Sequence, residues 1–281
     1  MTLVSRKILQ DRADMLAKVR SFFSQKYIME VDCPILSTKA SVDAHIDLIY
    51  SESSRVFLHS SPEYGMKRLL SKGSGDIYQL SHVFRAGEMG TKHRPEFMMA
   101  EWYRCGFTFD QMIKETCEFI QLFVGALHHS IISYREAFLK YAKVDPLQKE
   151  DEELNIILGL EVEPQLGKDS LTVITHYPAT QCALAKTDTI DGKLVAKRFE
   201  VYYKGLELAN GYDELTNSSE QRQRFLQANE LRKQMGKEPL PIDDEFLEVL
   251  DSVPDCCGVA VGFDRLMMLR HNTQNIADVI I

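Results

Sequence analysis

Hydrophobic positions recur at helical spacing near the start of the chain. Over residues 6–26 the apolar side chains fall three or four positions apart, which is the period of an amphipathic helix. These side chains are Ile8, Leu9, Met15, Leu16, Val19, Phe22 and Phe23. Residues 28–36 then form a strand-like apolar run that contains Pro34, and proline cannot donate to a sheet ladder. The pattern predicts a helix followed by a strand with an edge, bulge or bend at Pro34.

The middle of the chain contains three further segments. Two β-rich runs in Asp76–Tyr103 flank the polar residues 88–94, which predicts a long hairpin. Residues 110–142 have helical periodicity throughout. Residues 145–170 combine proline, glycine and a cluster of acidic side chains, which is typical of a surface excursion. Because this excursion is too short for a second domain, the sequence predicts one domain over residues 1–281.

Residues 199–216 predict a second hairpin with a definite register. The runs Phe199–Tyr203 and Leu206–Ala209 are separated by Lys204-Gly205, a plausible two-residue turn. In that register Tyr203 faces Leu206, residue 202 faces residue 207, and residue 201 faces residue 208.

This hairpin would group three carboxylates. Glu200 and Glu207 lie on one face of it, and a turn or bulge at residues 210–211 would bring Glu214 to the same face. Such carboxylates repel one another unless a cation or a substrate ammonium lies among them. The alternative is three solvated glutamates on an exposed face, since glutamate is usually a surface residue.

Near the end of the chain, Gly258–Arg265 predicts a strand that runs into a helix with Arg265 in its first turn. Glycines in such a strand permit the close approach of a ligand. Tight strand–helix packing, with Arg265 in a structural ion pair, is an equally open interpretation. Neither the phosphate-loop pattern of nucleotide triphosphatases nor the dinucleotide-binding glycine pattern occurs here.

Composition narrows the class of protein. The chain has 281 residues with 41 acidic and 33 basic side chains, a net charge of −8, and 44% hydrophobic residues. These values exclude a disordered, collagenous or coiled-coil protein and disfavour nucleic-acid binding. The six cysteines suggest reduced, mostly buried thiols. No signal peptide or bilayer-length apolar run is visible, so we expect a soluble, cytoplasmic protein without membrane contact.

Three segments together resemble the three motifs of class II aminoacyl-tRNA synthetase catalytic domains. The helix that ends in the strand at residues 29–34 resembles motif 1. Phe84-Arg85, the following loop and Pro95–Tyr103 resemble motif 2, and Gly258–Arg265 resembles motif 3. The resemblance implies an α+β fold, in which an antiparallel sheet is flanked by helices. It also implies a homodimer, because motif 1 forms the subunit interface in these domains.

Within class II, residues 61–70 and 207–215 resemble the lysyl-type branch. Lysyl-tRNA synthetases carry an anticodon-binding domain before motif 1, whereas motif 1 lies almost at the start of this sequence. The phrase Arg198–Thr216 closely resembles the elongation factor P–(R)-β-lysine ligase family. That resemblance implies that ATP activates (R)-β-lysine as an acyl-adenylate. Transfer to a lysine ε-amino group of elongation factor P would follow, with no tRNA involved.

The resemblance also implies roles for individual residues. Catalysis is assigned to Arg85 and Arg265. Binding of ATP is assigned to Arg85, Ala86, Gly87, Glu88, Arg94, Glu207, Leu208, Gly262 and Arg265. Binding of the amino acid is assigned to Ser61, Pro62, Glu63, Tyr103, Asn210, Glu214 and Ala260. Mg²⁺ would be held by Glu200 and Glu207. Glu101 could assist in the pocket or be structural, and His93 could contact phosphate or be solvated.

The sequence departs from the family pattern in the motif 2 loop and in the 145–167 segment. The acidic residue usually found two positions after the motif 2 arginine is here Glu88, three after Arg85. Arg94 replaces a common asparagine, and residues 145–167 are expected to be a shortened excursion. Two other functions stay open, namely a truncated lysyl-tRNA synthetase acting on tRNA and a non-catalytic regulatory paralogue.

Overall fold

Two compact units share the chain, and neither is continuous in sequence. The computed structural model describes residues 4–39 and 41–280. The first unit contains the chain up to Gly106, Thr216–Cys256, and the residues from Gly262 onward. The second unit contains Phe107–Leu215 and Cys257–Val261.

Both units combine helices with strands. The helices are α1 (Arg6–Gln25), α2 (Glu63–Ser71), α3 (Phe109–Val124), α4 (Tyr134–Ala137), α5 (Asp151–Ile157), α6 (Ser218–Gln234), α7 (Asp244–Leu250) and α8 (Phe263–His271). The strands are β1 (Met29–Glu30), β2 (Leu36–Ser37), β3 (Tyr50–Ser51), β4 (Val56–Leu58), β5 (Ile77–Phe84), β6 (Glu96–Cys105), β7 (His129–Ser133), β8 (Leu171–Pro178), β9 (Thr187–Ile190), β10 (Lys193–Tyr203), β11 (Leu206–Asp213) and β12 (Cys256–Gly262).

In the first unit, β5 and β6 form the predicted long hairpin. They pair antiparallel from Ile77 opposite Tyr103 to Phe84 opposite Glu96, and β1 adds to β5 in parallel. Strands β2, β4 and β3 form a small separate antiparallel sheet. Helix α1 packs on the hairpin through aromatic contacts with Tyr78 and the fully buried Trp102. Its Phe23 ring stacks on Tyr78 at 4.0 Å and meets Trp102 edge-on at 5.3 Å.

The N-terminal helix is confirmed, whereas the strand predicted after it is wrong in extent. Only β1 and β2 are strands within and beside residues 28–36. The backbone of Cys33 leaves the ladder and instead bonds the Gln79 side chain, with its N–H donating to Oε1 at 2.7 Å. Pro34 follows directly and has no N–H to donate to a neighbouring strand. The side-chain amide of Gln79 is therefore the hydrogen-bond partner of this backbone.

The helix predicted over residues 110–142 is also wrong in its middle. Helix α3 ends at Val124, and Gly125 adopts a φ of +85°, where a side chain would be strained. Strand β7 follows and pairs in parallel with β8. Its β-branched Ile131 and Ile132 favour a strand over a helix, which outweighs the apolar period.

The second unit is a mainly antiparallel sheet in the order β7, β8, β10, β11, β12, with β9 paired to the far part of β10. Residues 145–170 are not purely a surface excursion. Their Leu154, Val162 and Leu166 are at most 1% exposed and pack in a cluster with Phe138 and Tyr177. These apolar side chains anchor the segment to the sheet, although its acidic residues face solvent.

The β10–β11 hairpin has the predicted turn but a shifted register. Lys204 and Gly205 both have positive φ, as a type I′ turn requires. The pairs at residues 203–206 and 202–207 are confirmed, but Val201 faces Ala209 rather than Leu208. The bulge therefore lies at residues 208–209, not at 210–211, because Leu208 and Ala209 both turn into the core.

The strand-to-helix prediction near the end is confirmed by β12 and α8, with the third residue of α8 being Arg265. Mostly antiparallel strands with packed helices confirm the predicted α+β fold class. All six cysteines are free, and five are buried while Cys105 is half-buried. Within residues 4–39 and 41–280, no helix combines the length and the apolar character needed to cross a membrane.

Candidate active site

Arg85 stands where β5 leaves the hairpin and the polar loop begins. Its N–H donates to the Pro95 carbonyl at 2.8 Å, which closes the base of the loop. The guanidinium lies 5.2 Å from the centre of the Phe97 ring, and Nη1 is 3.5 Å from Oε1 of Glu88. The aromatic face and the carboxylate orient a side chain that stays one quarter exposed. The Arg85 guanidinium can therefore contact an anion while it keeps its contacts with Phe97 and Glu88.

The loop after Arg85 is held by its own backbone. Ala86 donates its N–H to the Asp47 carbonyl at 2.7 Å, and Gly87 has a φ of +76°. The Arg94 guanidinium folds back and donates to the carbonyls of Gly90 at 2.5 Å and His93 at 3.0 Å. As placed here, Arg94 stabilises the loop; its contact with ATP stays a prediction.

Arg265 lies against the same loop. Its Nη2 is 2.7 Å from Nε2 of His93, and a guanidinium can only donate. The imidazole must therefore be neutral, with Nε2 as the acceptor and the proton on Nδ1. Burial lowers the pKa of His93, and the nearby Arg265 charge lowers it further, which favours that neutral form. At Gly262 an added Cβ would meet the Arg265 side chain at 3.5 Å, an ordinary contact.

Asp264 fixes the start of α8, and the sequence reading missed it. One carboxylate oxygen accepts from Arg12 of α1 at 2.5 Å, and the other accepts the Met98 N–H of β6 at 2.6 Å. Three elements are thereby tied together one residue before Arg265. A signal was present, because Arg12 lies at helical spacing with the apolar residues Met15 and Val19.

A buried carboxylate links two of the predicted amino-acid residues. Oε2 of Glu101 accepts from the Ser61 hydroxyl at 2.7 Å, and Oε1 accepts from the Tyr103 hydroxyl at 2.8 Å. Burial raises the pKa of Glu101 to about 7, and the neighbouring carboxylate of Glu63 adds to the rise. The two hydroxyls act in the opposite direction but do not restore the usual value. The sequence left Glu101 open, and the structure places it at the centre of this network.

Ser61 also organises the start of α2. Its hydroxyl accepts the Glu63 N–H at 3.0 Å, and Pro62 stands at the cap position of the helix. One turn later, the fully buried ammonium of Lys67 donates to Glu63 at 2.6 Å. Glu63 therefore carries an internal counter-charge that sequence reasoning did not foresee, although the spacing of four residues allows it.

In the second unit, Glu200 is buried among three donors. Its Oε2 accepts from the hydroxyls of Tyr177, at 2.6 Å, and Tyr202. Its Oε1 accepts from Nη2 of Arg198 at 2.5 Å. Burial raises the pKa values of both tyrosines well above the usual range, and the Glu200 charge raises them further. The phenols therefore stay protonated and continue to donate.

The shifted register places Asn210 directly opposite Glu200, and Ala260 of β12 opposite Asn210. Alternation along the strands then sets Glu200, Glu207 and Asn210 on one face. Oδ1 of Asn210 accepts from Arg198, and its Nδ2 donates to the Tyr212 hydroxyl at 2.9 Å.

Two other predicted residues lie differently. Leu208 is 1% exposed within the bulge, so only its backbone could face a nucleotide. Glu214 lies just past β11, is 1% exposed, and forms an isolated backbone bridge with Ala185. Their contacts with ATP and with the amino acid stay predictions.

The proposed Mg²⁺ pair includes Glu200, which already accepts several hydrogen bonds. A carboxylate has about four lone-pair positions, and three of those of Glu200 accept bonds from Tyr177, Tyr202 and Arg198. Across the ranges that the structure describes, no group of three or more histidine, cysteine, aspartate or glutamate side chains is arranged to hold a metal. One lone pair on Oε1 of Glu200 is left for a ligand, and the roles of Glu200 and Glu207 as Mg²⁺ ligands stay predictions.

Sequence reasoning missed all three partners of Glu200, namely Arg198, Tyr177 and Tyr202. A signal existed for the arginine, because residues 198 and 200 share a face of one strand. No local signal existed for Tyr177, which comes from the neighbouring strand β8.

Comparisons with known proteins identify the family of this chain. The family model described as "tRNA synthetases class II (D, K and N)" matches residues 1–281. An elongation factor P–(R)-β-lysine ligase of Avibacterium paragallinarum is 42% identical over 98% of this chain and 95% of its own length. Ligases of the same name from Salmonella typhi and Hamiltonella defensa are 39% and 38% identical over 97% of this chain and 93% of theirs.

These alignments run over 304 to 306 positions, more than the 281 residues of this chain. The relatives therefore carry additional residues inside the matched region, and their location in the 145–167 segment stays a prediction. Both the family model and the relatives cover nearly the whole chain. The chain belongs to the class II aminoacyl-tRNA synthetase family, together with the elongation factor P–(R)-β-lysine ligases.

Proposed function

We propose that this chain is an ATP-dependent ligase that activates (R)-β-lysine and transfers it to a lysine ε-amino group of elongation factor P. The observation that carries the proposal is the 38–42% identity to ligases of that name over nearly all of the chain. The arginines beside the motif 2 loop and the buried carboxylates of the two units support it.

The first half-reaction joins the amino-acid carboxylate to the α-phosphate of ATP and releases pyrophosphate. Two anions must meet, so positive charge is needed where negative charge develops. Arg85 provides a guanidinium that can bind carboxylate and phosphate bidentately, and Arg265 provides a second for the terminal phosphate. The carboxylate is already ionised, so the step needs no general base.

The substrate of this reaction carries two ammonium groups, which need anionic partners. In the first unit, Ser61 and Glu63 are assigned to the amino group nearer the carboxylate. Tyr103 and Glu214 are assigned to the distal one. Because Glu101 bonds both Ser61 and Tyr103, it holds these two hydroxyls in fixed positions. A bound ammonium would also favour the charged form of Glu101.

In the second half-reaction, an amine attacks the acyl carbon of the adenylate. An amide bond forms, the bond from the acyl carbon to the AMP oxygen breaks, and the amine loses a proton. The acceptor amine is assigned to elongation factor P because the relatives are named for that protein.

The proposed assembly is a homodimer, which the resemblance to motif 1 implies. Large apolar side chains are exposed in and beside the segment that resembles motif 1: Tyr27 is 94%, Met29 50% and Leu36 57% exposed. A second copy covering them would form the expected homodimer. We place the reaction in the cytoplasm, where ATP and a translation factor meet, and expect Mg²⁺ to accompany ATP.

Pyrophosphate exchange with ATP tests the activation step directly. Run in parallel with α-lysine and (R)-β-lysine, it should show exchange with a preference for the β isomer. Arg85→Ala and Arg265→Ala should each abolish exchange while unfolding normally, since neither side chain fills the core. The exposed Arg6→Ala is the matched control and should behave as wild type.

Transfer is tested by incubating the enzyme with elongation factor P and measuring its mass. A gain corresponding to one lysyl group should be lost when the acceptor lysine is replaced by arginine. Charging of lysine tRNA instead would favour the truncated synthetase, which the net charge of −8 disfavours. No exchange with any amino acid would favour the regulatory paralogue.

A further inference from the structure

Arg198 connects two of the predicted site residues in the second unit. Its Nε donates to Oδ1 of Asn210 at 3.2 Å, and its Nη2 donates to Glu200 at 2.5 Å. Its Nη1 donates to the Gln181 carbonyl at 2.9 Å, and its guanidinium carbon lies 4.5 Å from the centre of the Tyr177 ring. Three hydrogen bonds and one ring contact fix the plane of the guanidinium. The resemblance to the ligase family assigned no role to Arg198.

This contact determines which way the Asn210 amide points. A guanidinium has only donors, so the atom facing Arg198 must be the amide oxygen. The N–H₂ group then points away, and one of its hydrogens bonds the Tyr212 hydroxyl at 2.9 Å. Among the described residues, Asn210 makes no other side-chain bond, so its second N–H remains available to a ligand. A flipped amide would present an oxygen there and would repel an anion.

Glu200 neutralises Arg198, which prevents the arginine from acting as the counter-ion itself. The carboxylate lies 2.5 Å from Nη2 and is held by the Tyr177 and Tyr202 hydroxyls on its other oxygen. Arg198 therefore contributes direction rather than net charge to the site. A neutral donor suits the substrate carboxylate, which must afterwards leave this environment as part of the adenylate.

We propose that Arg198 is a positioning residue, which fixes the Asn210 amide so that an N–H faces the substrate carboxylate. This inference rests on the proposed function, in which Asn210 binds that carboxylate. Arg198→Lys preserves the charge opposite Glu200 but cannot hold Asn210, Gln181 and Glu200 in one plane. The amide would then be free to flip.

The test measures KM for each substrate in pyrophosphate exchange. For Arg198→Lys, KM for (R)-β-lysine should rise about tenfold or more, the size of one lost hydrogen bond to a charged group. KM for ATP should stay within about twofold of the wild-type value, because no phosphate contact changes. A purely structural arginine would change both constants, or only stability. Arg135→Lys changes an exposed arginine of the same unit that makes two hydrogen bonds to Asp145, and it should leave both constants unchanged.

Asn210→Asp provides a second measurement if Arg198→Lys folds poorly. The aspartate keeps an oxygen for Arg198, so folding is preserved, but it replaces the N–H with a second oxygen. KM for the amino acid should rise at least as much as in Arg198→Lys. An unchanged amino-acid KM in either variant overturns the inference, whereas a wild-type enzyme that exchanges neither lysine isomer overturns the proposed function instead.

Discussion

Two buried glutamates, one in each unit, are bonded in similar ways but carry different electrostatic surroundings. Glu101 is 3% exposed and Glu200 is 6% exposed, and each accepts bonds from two hydroxyl groups. Glu200 also has the guanidinium of Arg198 at 2.5 Å. Burial and the nearby carboxylate of Glu63 instead raise the pKa of Glu101 to about 7, and the Lys67 ammonium bound to Glu63 offsets only part of the rise.

The difference separates Glu200, a carboxylate that is already paired with a cation, from Glu101, whose charge is conditional on the pH and on a bound cation. Glu200 is part of a complete ion pair, so its charge belongs to the folded protein and serves to hold Arg198. The charge on Glu101 is costly until another cation arrives, and a substrate ammonium is such a cation. The second unit therefore contains a charge-balanced network around Glu200, which we call the finished network. The first unit contains a network around Glu101 that a cationic ligand would complete.

The largest effect is expected when the finished network loses its anion. Glu200→Gln keeps the shape of the side chain but leaves the half-buried Arg198 guanidinium without a counter-charge. We expect the free energy of unfolding to fall by about 4 kcal/mol. Urea denaturation measures it, with Glu153→Gln as the control. Glu153 pairs with Lys149 on the surface, where an ion pair contributes under about 1 kcal/mol. Equal losses in the two variants would contradict the assignment of Glu200 to a buried pair.

The conditional charge predicts a pH dependence at Glu101. Its pKa is raised on folding from 4.5 to about 7, so over this range the folded protein binds more protons than the unfolded chain. The stabilising contribution is complete below pH 4.5 and is lost as the pH rises through about 7. Relative to Glu101→Gln, the wild type should lose up to about 3 kcal/mol across this window.

Denaturation of both proteins at several pH values measures that difference. Glu248→Gln, which removes an exposed carboxylate, controls for the general effect of charge. If the stability difference between wild type and Glu101→Gln stays constant with pH, Glu101 does not titrate in this range. The two networks would then be electrostatically equivalent.

A smaller effect should distinguish the hydroxyl donors of the two networks. Tyr202→Phe removes a hydrogen bond to the charged Glu200 and should cost about 2 kcal/mol of folding free energy. Tyr103→Phe removes the corresponding bond to Glu101. Below pH 7 that carboxyl is largely protonated, and a neutral bond is about half as strong, so we expect a loss near 1 kcal/mol. Denaturation of both variants at pH 6 checks the order, and a larger loss for Tyr103→Phe would reverse the comparison.

The elements of both networks were largely predictable from sequence, but their bonding was not. The hairpin turn at Lys204-Gly205 follows from local chemistry, because glycine tolerates the positive φ that the turn requires. The bulge at Leu208 does not, because it depends on which two residues the core accepts. Because the bulge lies two residues before the predicted position, Asn210 rather than Ala209 lies opposite Glu200.

Non-local partners were the harder class to predict. Tyr177 reaches Glu200 from another strand, and Asp264 meets Arg12 across 252 residues of sequence. Neither pair has a spacing that a sequence pattern can show. The predicted 110–142 helix failed for a related reason, because periodicity could not reveal that β8 was available to pair with residues 129–133.

The last prediction concerns specificity at the edge of the finished network. Ala260 lies directly opposite Asn210 across β11 and β12, and its neighbours Val259 and Val261 are buried on the other face. Cross-strand Cβ atoms lie about 5 Å apart, so the Ala260 methyl group adjoins the amide proposed to bind the substrate carboxylate. An α-amino group would project beside that carboxylate, whereas a β-amino group is one carbon further away.

Lysyl-tRNA synthetases, which this strand resembles, usually have glycine at the matching position. Ala260→Gly should therefore raise the use of α-lysine relative to (R)-β-lysine by about tenfold, the lower end of what one methylene-sized change contributes. Pyrophosphate exchange with both isomers measures the ratio. The loss of stability should be no more than about 1 kcal/mol for glycine in a strand, so the variant remains folded. If the ratio does not change, selectivity between the isomers must come from the first unit, where Ser61 and Glu63 face the conditional charge of Glu101. The methyl group would then only support packing of the strand.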